Sequence, residues 1–380
     1  MPLPRRQFLG SSLVALLAPS LPALAADASG VVHIPISLNQ RRVLVQCRIG
    51  GQGPFGFVFD TGGTLGLIDI ALARRLHMAD HGYANLSLSV GARRYPLYEA
   101  KDFVFGDEVC QPSALFAGVE NFGFGEGAVG SLAAGVLSSV DGELDLALGE
   151  WRIYRAGAPD RSGWTRYEGG IVHRGTLQGS AFLLADAQIG DRPLRFLLDT
   201  GMPTTLRLYR RTAEALGLWD APRWAPAAPD GKARQVRVPS MTLAGKVLAG
   251  AVATVVDRTP WGKEEDAGII GLPILRQFDL GTDAKEGATY LRPNGLPGAI
   301  GRYNMSGLWI DRDGDALSVG AVGPGSPAAA AGIKPGDRLP GADFAKLLRQ
   351  MNGPVGSQMT LAVESSGTAR TVTLQLSDYL

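Results

Sequence analysis

The sequence predicts a mainly β protein built as two similar halves, followed by a smaller α+β unit. Three observations carry this expectation. Short β-branched or aromatic runs alternate with Gly, Pro, Asn or Asp, as at residues 31–36, 43–49, 55–59, 86–90 and 247–256. A segment recurs at a fixed spacing: Pro54-Phe-Gly-Phe-Val-Phe-Asp60-Thr61-Gly62 is answered by Pro193-Leu-Arg-Phe-Leu-Leu-Asp199-Thr200-Gly201. From about Met305 the pattern changes to strands interrupted by a short alanine-rich segment.

The bulk properties agree with several domains. A chain of 380 residues is too long for one ordinary core, and 51 glycines and 24 prolines scattered through it mark many turns. The formal net charge is +1, with no long run of either sign, so the basic face needed to bind nucleic acid is missing. Arg5 and Arg6 precede a mildly apolar stretch ending in Ala23-Leu24-Ala25. This reads as an export signal over residues 1–25, of twin-arginine or general-secretory type, with cleavage before Ala26. Pro19 and Pro22 shorten the apolar run below the span of a bilayer. The expectation is a periplasmic or secreted protein without a membrane span after cleavage. Cys47 and Cys110 are the only cysteines; they are too few for a zinc site, and sequence leaves open whether they pair or remain free thiols.

Each copy of the repeat is preceded by an apolar alternating run and a glycine-containing turn. Each is followed by a short amphipathic segment suited to a helix, 71–78 and 209–218, and then by an apolar glycine element. These later elements read as Gly135-Val-Leu-Ser138 and Gly268-Ile-Ile-Gly271. The boundaries that follow are residues 27–160 for one half, 161–298 for the other and 299–380 for the last unit. The polar stretch 155–168 serves as a connector.

Two Asp-Thr-Gly turns with matching flanks resemble the aspartic peptidase family over about residues 30–295. The second copy is also similar to the single-lobed, retroviral-type branch. The resemblance implies two acid-protease-like lobes related by a pseudo-twofold axis, with Asp60 and Asp199 as a catalytic pair. Like charges in a semi-buried site cannot both ionise, so such a pair shares a proton. One carboxylate then takes a proton from water while the other polarises the scissile carbonyl. Thr61 and Thr200 are implied as supporting residues that reach the opposite lobe's backbone. Gly62 and Gly201 let the turns pack closely. Pepsin-like members place Ser or Thr after the glycine; here Gly63 and Met202 stand instead. Loss of that donor predicts raised apparent pKa values and a mildly acidic optimum. The implied function is peptide-bond hydrolysis, without cofactor or metal, on a polypeptide substrate. A catalytically inactive acid-protease-fold scaffold that binds peptides or proteins is the alternative. A flap is expected over residues 86–98, with Gly91 at the turn and Tyr95 and Tyr98 nearby.

The run Val319-Gly-Ala-Val-Gly-Pro-Gly-Ser-Pro-Ala-Ala-Ala-Ala331-Gly-Ile-Lys-Pro-Gly-Asp337 resembles a PDZ domain of the bacterial protease type. Such a domain binds a C-terminal peptide as an added strand. Gly307, Leu308, Trp309 and Ile310 match its carboxylate loop, and residues 344–351 match the helix beside its groove. The usual strand after Gly-Asp is cut short at Arg338-Leu339-Pro340-Gly341.

Three other patterns have simpler readings. Gly51-Gln-Gly53-Pro-Phe-Gly56 fits a dinucleotide fingerprint, yet it leads into a strand and so reads as a hairpin turn. Asp311, Asp313 and Asp315 alternate like a calcium loop but lack the terminal Glu. His77 and His81 stand four apart at a helix end, and no H-E-x-x-H is present.

Overall fold

Alternating apolar side chains bury one face of a strand, and glycine turns at short intervals return the chain beside itself. In the computed structural model this produces two curled sheets and a separate small unit. The residues described are 30–39, 41–88, 91–174, 180–230, 232–259 and 262–380; the export segment and the turn of the expected flap lie outside them. The first half contains β1 (Val31–Leu38), β2 (Val43–Ile49), β3 (Gln52–Phe59), β4 (Gly66–Asp69), α1 (Ile70–Arg75), β5 (Ala79–Leu88), β6 (Gly91–Phe105) and β7 (Val109–Val119). It ends with β8 (Gly130–Leu132), α2 (Gly135–Ser138), β9 (Gly142–Asp145) and β10 (Glu150–Tyr154). The second contains β11 (Thr165–Tyr167), β12 (Ile171–Val172), β13 (Phe182–Ile189), β14 (Arg192–Asp199), β15 (Leu206–Tyr209), α3 (Arg210–Ala215) and β16 (Ala225–Pro226). It continues with β17 (Arg234–Leu243), β18 (Lys246–Val256), β19 (Asp266–Gly271), α4 (Leu272–Leu275), β20 (Phe278–Asp283) and β21 (Ala288–Pro293).

The two sheets repeat one order. The run β2-β3-β8-β4-β7-β6-β5 in the first half matches β13-β14-β19-β15-β18-β17-β16 in the second. Each is curled by the same extra ladder, β2 on β6 and β13 on β17. The halves are joined by strands that leave their own barrels. β9 pairs antiparallel with β20 through Leu144 and Leu280, flanked by β10 and β21 and then by β1 and β11. The symmetry axis therefore passes between β9 and β20. The stretch read as a connector contributes β11 to this shared sheet, pairing Tyr167 with Thr289. A single apolar cluster runs beneath both halves, including Trp151 and Leu291 at equivalent positions.

One pairing expected from sequence is corrected by the strand register. Gly268 lies opposite Phe196 on the strand leading to Asp199, and Gly130 lies opposite Phe57 on the strand leading to Asp60. Gly130-Ser131-Leu132, rather than Gly135-Val-Leu-Ser138, is thus the counterpart of Gly268-Ile-Ile. The physical reason is close approach: a Cβ at Gly130 would press on Leu67 O, and one at Gly268 would collide with Arg207 O. Gly135–Ser138 forms α2, which corresponds to α4.

The C-terminal unit has its own core, including Leu308, Val319, Ile333, Leu347 and Leu361. It contains β22 (Leu308–Asp313), β23 (Ala316–Val322), α5 (Pro327–Ala330), α6 (Phe344–Met351), β24 (Gln358–Ser365) and β25 (Thr368–Gln375). The segment between the two hairpins bridges them at Arg338, which meets Ser318 on one side and Glu364 on the other. Ser326 caps α5 through Ala329 N, and Asp343 caps α6 through Lys346 N. Asp337 closes the Lys-Pro-Gly-Asp turn on Lys334 N at 3.0 Å and accepts Ser365 Oγ at 2.7 Å. No helix among the described residues is long and apolar enough to cross a membrane.

Candidate active site

The site begins with two strand ends. β3 runs parallel to β8, and β14 runs parallel to β19, so each Asp-Thr-Gly turn emerges between two buried parallel strands. The turns close alike: Gly63 N donates to Asp60 O, and Met202 N donates to Asp199 O, both at 3.3 Å. Each is then held from the same side, Ala134 N donating to Gly63 O and Leu272 N to Met202 O, both at 2.9 Å. This repeat of individual hydrogen bonds places the two carboxyls on matching supports.

The threonines lock the turns together. Thr61 Oγ1 donates to Leu198 O at 2.7 Å, and Thr200 Oγ1 donates to Phe59 O at 2.5 Å. In return Thr61 N donates to Thr200 Oγ1 at 3.2 Å, and Thr200 N donates to Thr61 Oγ1 at 3.0 Å. Both threonines are fully buried, so every lost bond would leave an unpaired polar group. The glycines have an equally direct reason. A Cβ on Gly62 would collide with the Asp199 carboxyl group, and one on Gly201 would collide with that of Asp60. Each half therefore supplies the floor under the other's carboxylate.

Asp60 Oδ1 accepts Gly62 N at 3.1 Å, and the two carboxyls are close enough for each to act on the other's titration. Burial pushes the Asp60 carboxyl up from the ordinary range, and the charge of Asp199 pushes it further. Asp199 is also raised by burial, but the charge of Arg207 and the amides of Met202 and Gly201 oppose the shift. Both carboxyls are therefore held above the ordinary carboxylate range, and two buried acids so coupled titrate as a unit.

Two arginines at this site were not legible as site residues. Arg42 lies just before β2; its Nε donates to Phe124 O at 2.7 Å, and its Nη1 lies 3.4 Å from Gly201 O across the halves. Desolvation lowers the Arg42 pKa, and the charges of Asp60 and Asp199 oppose that fall. Arg207 occupies the middle of β15, opposite Ile269. An arginine alternating with leucines in a strand was the available signal, but sequence does not show which barrel face it reaches.

Other expected positions fall as follows. Residues 86–88 and 91–98 lie in β5 and β6, where Leu88 pairs with Gly91; Tyr95 and Tyr98 are both buried, in different apolar clusters. Met202 packs with Phe182, Leu184, Leu197 and Ile269. Leu308 and Ile310 sit in the core of the C-terminal unit, and Trp309 Nε1 donates to Asp311 at 3.1 Å. Gly307 has φ of 79° and packs so closely on Ser326 that a side chain there would collide. Cys47 and Cys110 are free thiols, both raised in pKa by burial.

Residues 185–274 match the aspartyl protease family, a segment that runs from β13 through the second turn to α4. The crystal structure of an aspartic proteinase from Irpex lacteus is similar to this chain at 14% identity, covering 71% of this chain and 99% of that one, with a TM-score of 0.45. No curated protein matches.

Proposed function

We propose that the protein is an aspartic endopeptidase whose general acid–base pair is Asp60 and Asp199. The observation that carries this reading is the reciprocal packing of the two turns, which seats each aspartate over the other half's glycine and brings the two buried carboxyls into one site. A water between the pair and the substrate loses a proton to the ionised carboxylate as its oxygen attacks the scissile carbonyl carbon. The protonated partner donates toward the carbonyl oxygen. Collapse of the tetrahedral intermediate returns a proton to the leaving amine. Thr61, Thr200, Gly62 and Gly201 hold the geometry without touching the substrate. The β5–β6 hairpin acts as the flap that excludes water.

The C-terminal unit then serves as a PDZ-like module that binds a peptide tail. The support for this part is that β22 pairs with β23 alone, which leaves its other edge without a strand, while Gly307–Ile310 begins that edge. In this reading export places the mature chain in the periplasm or outside the cell.

The test is hydrolysis of a diverse peptide library between about pH 3 and 7, with pepstatin and with Asp60→Asn and Asp199→Asn beside the parent. Cleavage lost in both variants supports the reading. A folded protein that cleaves nothing, or one that cleaves equally without either aspartate, overturns it and favours a binding scaffold.

A further inference from the structure

The cations of this protein fall into two groups. Most buried or half-buried arginines are answered by carboxylates: Arg152 by Glu143, Asp145 and Glu150, Arg174 by Asp266, and Arg292 by Asp279. Among the described residues Arg42, Arg161, Arg207 and Arg276 form no ion pair with a carboxylate; of these, Arg42 and Arg207 are the two whose charges act on the dyad carboxyls, whereas Arg161 donates to Gly142 O and lies over Tyr290. The acidic groups felt by Arg42 are the two dyad carboxyls themselves. Arg42 spends its hydrogen bonds on the carbonyls of Phe124, Arg41 and Gly201. The flap adds to the imbalance. Residues 84–98 hold Arg93 and Arg94 and no Asp or Glu, and these two stack on Tyr95 and Tyr83 at 4.9 and 4.3 Å.

The symmetry of the fold shows that these positions were not required by it. Leu67 stands at the place of Arg207, and both are next to a glycine of the parallel strand. The ladders place Phe182, an apolar core residue, where Arg42 stands in the other half. A desolvated cation without a counter-charge is costly in a position that accepts leucine or phenylalanine. Two buried carboxyls that cannot both ionise give the dyad one negative charge at most, too little for two guanidiniums with Arg93 and Arg94 near the hairpin tip. The cleft therefore has positive charge in excess of what its own residues neutralise.

We propose that the cleft selects polypeptides carrying a carboxylate side chain close to the scissile bond, with Arg42 as its anchor on the flap-bearing half and Arg207 as the second cation across the dyad. This rests on the peptidase reading for the identity of the bond cut, but recognition of the carboxylate precedes chemistry and is measured without it. The two arginines are specificity residues.

The experiment uses matched peptides with a reduced, uncleavable bond at the scissile position, bearing Glu or Gln at each of the flanking sites in turn. Binding to the mature protein is expected to favour Glu at one or more sites by about tenfold or more, the range of a charge-assisted hydrogen bond. Arg42→Gln or Arg207→Gln is expected to remove the preference at its own site. Equal binding of every Glu and Gln pair by the parent protein overturns the proposal, as does a preference that survives both substitutions. Hydrolysis of the ordinary amide peptides is followed in parallel. A Glu preference in binding with no hydrolysis of any amide retains the acidic specificity and removes the peptidase reading; hydrolysis with charge-blind binding does the reverse.

Discussion

The two halves share a sheet order and a turn, yet they treat the last strand of the sheet in opposite ways. In the first half β5 and β6 form a long hairpin of 10 and 15 residues that extends past the barrel. In the second, β16 at the same place is two residues long, Ala225 and Pro226. The C-terminal unit packs where the hairpin would lie: Ala225 and Val252 are buried against Tyr303 and Tyr379. Arg237 joins the same seam by pairing with Asp378 at 2.5 Å and donating to Leu380 O at 3.1 Å. An unpaired sheet edge must be covered or kept from other strands. One half continues its edge as a long hairpin, and the other hides it beneath a second unit. Duplication thus preserves what meets at the axis and lets the far edges diverge.

The largest effect should come from the axis. Asp60→Asn and Asp199→Asn are each expected to lower kcat by about a thousandfold or more, because the coupled carboxyls act as one functional unit. Retention of activity by one variant would show that the halves are not equivalent in chemistry. Next in size are the matched core positions. Trp151→Ala should destabilise by about 3–5 kcal/mol and Leu291→Ala by about 2–5 kcal/mol, measured by denaturant unfolding. Trp151 also stacks edge-on with Phe59 and Phe105 at 5.2 and 5.5 Å, so the first half is expected to suffer more.

The position after each glycine gives a sharper contrast. Met202→Ser places a hydroxyl in an apolar cluster and removes buried carbon, at a cost of about 1–3 kcal/mol in the same unfolding assay. At Gly63 a Cβ would sit 3.4 Å from Asp60 Oδ2, an ordinary contact. Gly63→Ser should therefore fit, donate to the ionised Asp60 and shift the pH–rate profile of hydrolysis toward acid. Equal effects from the two serines would undo the asymmetry. The smallest effect is on stability against pH. Because both carboxyls are raised in the folded state, folding favours their protonated forms; this contribution is complete below the ordinary carboxylate range and is lost as pH rises through the raised values. Asp60→Asn should then melt higher than the parent at alkaline pH, with the difference shrinking on acidification. A melting difference that grows toward acid would reverse the assigned sign.

Much of this architecture was readable because it is local and repeated. The strand at 43–49 coincides with the apolar run that predicts it, and the helix at 344–351 with the one that the PDZ resemblance implies. The duplicated Asp-Thr-Gly flanks marked two equivalent turns. The glycine element after the first turn was misplaced because an apolar run with one glycine looks the same five residues later. Only the close approach of Leu67 O distinguishes Gly130. Strand β20 and its pairing with β9 of the other half were not read from the sequence, since composition carries no information about which half a strand will join.

Residue type and spacing alone determined that this chain is mainly β, that it contains two copies of one turn, and that each of those turns carries an aspartate. These properties follow from side-chain periodicity and local turn geometry, which are short-range. Tertiary structure alone decided that the two turns interlock through Thr61 and Thr200, that each glycine floors the opposite aspartate, and that Arg42 and Arg207 stand beside them without carboxylate partners. Those contacts join residues up to 159 positions apart. They depend on how two barrels dock about an axis, which no local pattern encodes.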